Sequence, residues 1–286
     1  MARIAWIGAG KMGLPVCRRL KEAGHDVHVL ARTPERATAL QAEGFASASA
    51  VAALIPGCDI IFTCVSDDKA LADVLLGDGF AAAVKAGATL IDMSTVSPAI
   101  SAKIAAALPP SLAFLRSPVS GSTAMASAGT LTALVSGPQA TFEAMSGIFS
   151  VFTKKAFHLG SGEEARLLKL AINSMVAATA VLLGEALALG LKGGLSNEAM
   201  LEVITQSAVA SPLIGYKKDM IIKGDYTPAA TLNMLQKDVE LFLEAGRGMN
   251  LGLPLNSMIA STYRNAAERG LGEQDFFVLV KEAAST

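Results

Sequence analysis

The residue types and spacing best suited to chemistry lie at the start of the chain, in Gly8-Ala9-Gly10-Lys11-Met12-Gly13. The run follows an apolar β-type segment, Ile4–Ile7, and opens a helical pattern over Met12–Glu22. In that context one glycine permits a tight turn and a second lets backbone N–H groups approach a pyrophosphate. The third lets helix and strand pack closely. The positive end of the helix then faces the phosphates. Dinucleotide binding is the implied chemistry; the bland reading is a mere glycine turn. About 20 residues further on, an NAD site places Asp or Glu to hold the ribose 2′-OH. Here the sequence reads Ala31-Arg32-Thr33-Pro34-Glu35-Arg36. Arg32, Thr33 and, one turn later, Arg36 suit a 2′-phosphate through charge-assisted hydrogen bonds, so NADP(H) is the expected cofactor. The other reading stacks Arg32 on adenine, gives the ribose to Glu35 and keeps NAD(H) open.

Three further segments carry hydroxyls or charges in suggestive places. Asp92-Met-Ser-Thr95-Val-Ser-Pro98 stands at the carboxyl end of a strand, where ligands of open α/β sheets bind, so Ser94 and Thr95 are placed to face a nicotinamide. Read alone, Ser97-Pro98 is an ordinary helix start. Ser117-Pro-Val-Ser120-Gly121-Ser122-Thr123, leading to Gly129-Thr130-Leu131, is a hydroxyl-rich loop whose N–H groups suit a small carboxylate, or else a plain connection. Finally, Arg166, Lys169 and Asn173 share one stripe of the most apolar helical segment. A lysine there either snorkels to solvent or, buried beside a bound cofactor, protonates a carbonyl oxygen.

These residues need elements to hold them. Short β-type runs at Ile4–Ile7, Val27–Ala31, Ile60–Cys64, Thr89–Asp92, Ala113–Leu115, Thr132–Val135 and Val151–Thr153 alternate with helical patterns. Such alternation predicts a mostly parallel, doubly wound sheet. After about residue 160 the periodicity becomes helical throughout, over 163–191, 197–206, 232–248 and 255–269. The expected organisation is therefore α/β over 1–160 and all-α over 161–286, hinged at Gly160-Ser-Gly162.

Composition removes several function classes. The 286 residues are 52% hydrophobic and 17% charged, with a net charge of −1, so a large core is available and no basic stripe points to nucleic acid. Three cysteines and three histidines show neither a disulfide nor a zinc spacing, and a reducing cytoplasm is expected. Mean hydropathy is +0.46, yet the most apolar stretch, Leu167 to Leu191, contains Lys169, Asn173 and Glu185. It reads as a buried helix of a soluble protein rather than a membrane span. The N-terminal apolar run stops at Gly8 and reads as a strand rather than an export signal.

Taken together, Gly8–Gly13, Asp92-Met-Ser-Thr, Pro118-Val-Ser-Gly with Gly129-Thr-Leu, Lys169 with Asn173 and Lys237-Asp238 resemble the β-hydroxyacid dehydrogenases over nearly the whole chain. That family includes 3-hydroxyisobutyrate dehydrogenases and glyoxylate/succinic semialdehyde reductases; Pro-Val-Ser-Gly-Ser looks closest to the latter. The resemblance implies a Rossmann domain, a long interdomain helix and an all-α C-terminal domain. It makes Lys169 the general acid/base, Asn173 a substrate holder, and Ser120 with Gly121 the carboxylate site. On the cofactor side it places Val65, Ser66, Thr95, Lys237 and Asp238. A homodimer or homotetramer built from the C-terminal half is expected. Imine reductases share the architecture but usually replace the lysine with Asp or Tyr, and a non-catalytic cofactor-binding module would not need the Lys169/Asn173 pair. Two departures stand out. Arg116 occupies a position often acidic in the family, and many members place their lysine at the position of Arg166, which leaves Arg166 a place near the substrate.

Overall fold

The computed structural model describes residues 1–77 and 79–285 and divides into two compact units, Met1–Lys169 and Leu170–Thr286. The first opens with β1 (Arg3–Ile7), α1 (Gly13–Glu22), β2 (Asp26–Leu30), α2 (Pro34–Ala42), β3 (Ala46–Ala48) and α3 (Val51–Leu54). It continues with β4 (Ile60–Thr63), α4 (Asp68–Leu75), α5 (Phe80–Ala83), β5 (Thr89–Asp92), α6 (Pro98–Ala107) and β6 (Ala113–Arg116). The six strands form one parallel sheet in the order β3-β2-β1-β4-β5-β6. Strand order reverses between β1 and β4, so the turns after these two strands flank the point where such sheets bind ligands.

The strands are apolar on both sides because helices cover both faces. Ile4 and Trp6 of β1 join Val29, Phe62 and Leu115 in one core, with Val16 and Leu20 of α1. The alternate residues Ala5 and Ile7 join Ile61, Leu90 and Phe114 in the other, with Leu71 and Leu75 of α4. Burying each large aliphatic side chain contributes about 1.5–3 kcal/mol. Trp6 stacks on Phe62 at 4.7 Å between ring centroids.

A second, three-stranded sheet follows, built from β7 (Val119–Ser120), β8 (Leu131–Val135) and β9 (Thr153–His158), with α7 (Thr123–Ala128), α8 (Gln139–Ala144) and α9 (Ser146–Phe152). β7 and β8 are antiparallel, and β8 and β9 are parallel. The strand expected over Val151–Thr153 is corrected. Val151 and Phe152 finish α9, because Phe149 and Phe152, three residues apart, both turn into the core and Phe152 meets Phe62 edge-on. The strand begins at Thr153 and runs through Lys154 and Lys155, both exposed.

Helix α10 (Glu164–Lys192) starts in the first unit and continues into the second, which adds α11 (Asn197–Ile204), α12 (Pro212–Lys223), α13 (Leu232–Gly248), α14 (Pro254–Ala266), a π turn at Ala267–Leu271 and α15 (Val278–Ser285). By length and composition α10 could cross a membrane. Here Ala177, Ala180, Leu183 and Leu187 pack with Leu201, Val239, Tyr263 and Phe277 in the core of the second unit. The Tyr263 hydroxyl donates to the Ala177 carbonyl at 3.3 Å.

Candidate functional site

The turn after β1 shows why three glycines occur at this spacing. Gly8 has φ +97°, and a Cβ there would lie 2.1 Å from the Cys64 carbonyl oxygen. A Cβ at Gly13 would lie 2.4 Å from the Gly8 carbonyl and 2.8 Å from Trp6 Nε1. Gly10 differs: nothing approaches its Cβ position within 4 Å. The middle glycine thus keeps one side of the backbone open, as an approaching pyrophosphate requires. The start of α1 has no side-chain cap and no acidic residue in its first turn. Its positive end is therefore not neutralised by carboxylates of its own.

A cleft of about 320 Å³ runs along this turn and is bordered by Gly8, Ala9, Gly10, Arg32, Cys64, Val65 and Ser66. The structure therefore brings Gly8, Ala9, Gly10, Arg32, Val65 and Ser66 of the expected cofactor residues together. Lys11 is exposed and Met12 half-buried beside them. Thr33 caps α2 by accepting from the Arg36 backbone N–H at 3.3 Å, and the Arg36 guanidinium donates to the Ala9 carbonyl. Glu35, the alternative ribose ligand, is exposed in the first turn of α2. A backbone N–H and the Thr33 hydroxyl hold its carboxyl below the usual range. Arg32 is exposed at the rim. Burial, aided by the charge of Asp92, pushes the Cys64 thiol up to about 12, so Cys64 lines the cleft as an inert wall.

Beyond the β5 terminus the geometry departs from expectation. Ser94 is buried and donates its hydroxyl to Asp92 Oδ1 at 2.6 Å while accepting from the Val65 N–H at 2.9 Å. It supports the turn, and its neighbour Thr95 is half-buried. Arg166 is 1% exposed and ion-paired with Asp92, so it is an internal side chain without a place at the substrate. Its neighbour on the same stripe, Lys169, is half-buried. The other departure, Arg116, pairs with Glu163 at 2.7 Å and lies over the Phe114 ring. Sequence reasoning missed both pairings. The only signal was a set of opposite charges at strand ends and at the start of the long helix.

Ser120 lies in β7, half-buried and paired opposite Thr132. Gly121 follows with φ +139°, and a Cβ there would meet Leu131 Cδ2 at 2.8 Å. Ser122 caps α7 by accepting from the Met125 N–H. This loop therefore turns on a residue that only glycine accommodates without strain.

Within the second unit, the Asn173 amide donates to Asp238 Oδ2 at 2.6 Å, and Lys237 Nζ lies 2.8 Å from Asp238 Oδ1. A carboxylate only accepts, so it dictates that the NH₂ end of Asn173 points toward it. Asp238 thereby fixes both neighbours, a role that the adjacency of Lys237 and Asp238 in sequence does not reveal.

Residues 3–160 match the family model of the NAD-binding domain of 6-phosphogluconate dehydrogenase. Residues 160–283 match the NAD-binding domain of NADP-dependent 3-hydroxyisobutyrate dehydrogenase. The chain is 32% identical to 2-(hydroxymethyl)glutarate dehydrogenase of Eubacterium barkeri, over 98% of its own length and 94% of the relative's. It is 30% identical to NAD-dependent L-serine dehydrogenase of Pseudomonas aeruginosa, over 98% and 97% respectively. The solved structure of 3-hydroxyisobutyrate dehydrogenase from Salmonella typhimurium superposes with a TM-score of 0.90 at 25% identity, covering 99% of this chain and 100% of that one. Similarity of this extent, over both units and around a glycine turn shaped for a pyrophosphate, shows that the chain belongs to the NAD(P)-dependent β-hydroxyacid dehydrogenase family of oxidoreductases.

Proposed function

We propose that this dehydrogenase reduces a small aldehyde or keto compound bearing a carboxylate, of the semialdehyde or glyoxylate type, using NADPH. The reaction is reversible to β-hydroxyacid oxidation. The observation that carries the reading is Lys169 on α10 with Asn173 four residues later, its amide held by Asp238 at 2.6 Å. Bound NADPH supplies the hydride. Lys169 protonates the carbonyl oxygen as charge develops on it, and in the reverse direction the neutral amine takes the hydroxyl proton. Asn173 orients the substrate. Ser120 and the Gly121 backbone hold its carboxylate, which the substrates named for the two relatives, a glutarate and serine, also carry. Thr95, Val65 and Ser66 serve the nicotinamide side, and Lys237 and Asp238 are assigned as the second unit's cofactor residues. Arg32, exposed at the rim of the cleft, with Thr33 and Arg36 one turn on, favours the 2′-phosphate of NADP(H) over NAD(H). In this reading residues 1–160 bind the cofactor, and 161–286 supply substrate contacts and the interface of a cytoplasmic homodimer or homotetramer.

Steady-state turnover of succinic semialdehyde, glyoxylate and a cyclic imine with NADPH, for wild type and Lys169→Met, tests the reading. General acid–base assistance is worth about 10²–10⁴-fold, and that loss should appear in kcat with the NADPH Kd little changed. Asn173→Ala should cost less. Methionine preserves the apolar stem and helix propensity, so near-wild-type kcat in Lys169→Met would refute the assignment.

A further inference from the structure

Asp92, Arg116, Glu163 and Arg166 form a largely buried quartet of charges, which we infer is the device that positions Lys169 relative to Thr95 and to the Ser120–Gly121 loop. The inference rests on the proton-donor reading of Lys169. Asp92 ends β5 and Arg116 ends β6, directly opposite each other in register. Glu163 and Arg166 stand three residues apart at the start of α10. The pairing is crossed: the strand acid takes the helix base, and the strand base takes the helix acid. Exposure of the four side chains is 0%, 9%, 17% and 1% in chain order.

Such pairs are poor sources of stability, because desolvating two charges offsets most of their attraction. Apolar residues would hold a helix against a sheet at lower cost, but without directional hydrogen bonds. The quartet supplies direction instead. Arg166 Nη2 meets Asp92 Oδ2, Nη1 donates to the Ser94 carbonyl at 2.6 Å, and Nε donates to Ser101 Oγ at 3.3 Å. Three donors of one planar group, aimed at three acceptors, tie the first turn of α10 to the end of β5, to the turn after it and to α6. Lys169 lies three residues later, about 4.5 Å along the axis, so its Cα inherits that placement.

The same contacts shape the segments opposite. Asp92 Oδ1 accepts from Thr63 Oγ1 at 2.6 Å and from the Ser94 N–H at 3.1 Å, which folds the turn leading to Thr95. The Ser117 N–H donates to the Asp92 carbonyl at 2.7 Å, immediately after Arg116, where the chain departs toward Ser120 and Gly121. Ser136 Oγ, just after β8, donates to the Gly162 carbonyl at 2.7 Å and completes the anchorage. One charge cluster thus governs three segments that the proposed reaction needs in register, while Asp92 and Arg166 are turned away from solvent. All four are positioning residues.

The test compares Arg166→Met, Arg166→Lys, Arg116→Glu, Glu163→Arg and the double reversal Arg116→Glu/Glu163→Arg with wild type. The readouts are kcat and KM for the carbonyl acid of the panel turned over fastest, NADPH Kd and Tm. Misplacement by about 1 Å can cost 10²-fold in rate. Arg166→Met should therefore lose about ten- to a hundredfold in kcat, with KM and Kd within about threefold, and Arg166→Lys should regain part of it. Each single reversal should lower kcat and the double reversal should restore it. That arm survives even if Arg166→Met folds poorly, because Arg116 and Glu163 are less completely buried. In a Lys169→Met background, Arg166→Met should add no further loss. Wild-type kcat per folded molecule in Arg166→Met, with only Tm lowered, would overturn the inference. Amide exchange over 164–169 reads the anchorage without any substrate: faster exchange in Arg166→Met supports it, and unchanged exchange overturns it. Full activity of Lys169→Met, with exchange still accelerated by Arg166→Met, would instead sink the proton-donor reading and this catalytic consequence with it.

Discussion

Replacing Lys217 by methionine should cost the chain about 3 kcal/mol, and the structure shows why. The side chain is 4% exposed, and its Nζ lies 2.6 Å from Oδ2 of Asp275, which is fully buried. Removing one member of a buried pair typically costs about 3–5 kcal/mol, because the survivor is left as an uncompensated charge. In Lys217→Met the carboxylate keeps two backbone donors, the Ala229 N–H at 3.3 Å and the Phe277 N–H at 3.1 Å, which places the loss at the lower end. In Asp275→Asn the ammonium keeps the amide oxygen as a neutral acceptor and the faces of Phe276 and Phe277, at 5.1 and 5.4 Å. Each face returns about 1 kcal/mol, which brings the upper end of that range down to a loss of about 3 kcal/mol. The double variant should fall short of the sum by about 2–3 kcal/mol, since its two losses share one interaction. At about 2–4 °C per kcal/mol, Lys217→Met should melt about 6–12 °C below wild type. The pair also secures the approach to α13, because Thr231 bridges to Asp275 and the Leu232 N–H donates to the Gln274 carbonyl at 2.8 Å. Thermal and urea unfolding followed by circular dichroism measure all three variants. Single losses below about 1 kcal/mol, or strict additivity, would refute the reasoning.

Wild type should show a higher kcat/KM with NADPH than with NADH, and Arg32→Asp should cut that ratio about 10- to 100-fold, the worth of one hydrogen bond to a charged group; equal use of both cofactors by wild type would end the claim. Light scattering at micromolar concentration should give a dimer or tetramer mass, because Met175, Leu182 and Leu189 repeat every seven residues on α10 and are 71%, 58% and 79% exposed. Leu182→Glu should reduce that mass, and a monomeric wild type would contradict the expectation. Native Cys64 should resist iodoacetamide at pH 8, since a thiol at about 12 leaves a thiolate fraction on the order of 10⁻⁴. Labelling at the rate of the unfolded chain would show that the wall of the cleft is open.

The glycine turn was legible in the sequence because its demands are local and steric. A strand, a left-handed Gly8, an open Gly10 and a close-packed Gly13 leave little choice of residue, and their spacing states the chemistry. Alternating strands and helices were legible for a similar reason, since period 2 and period 3.6 are imposed by the backbone. Even so, α12 was missed although Ser211-Pro212 and Gly224 mark its two ends, and β3 was missed because Ala46-Ser-Ala48 has no β-forming residue and exists only through pairing with β2. Phe152 shows the opposite failure, a β-type run captured by a helix because the core needed its ring. What no local pattern could state is which charges meet. Arg116 reaches Glu163 across 47 residues, Asn173 reaches Asp238 across 65, and Arg166 reaches Asp92 across 74. The stripe shared by Arg166, Lys169 and Asn173 identifies a helix face, but not what stands opposite it. Only tertiary folding turned Arg166 inward onto a buried carboxylate, because an ion pair is defined by distance in space and the chain carries no local mark of its partner.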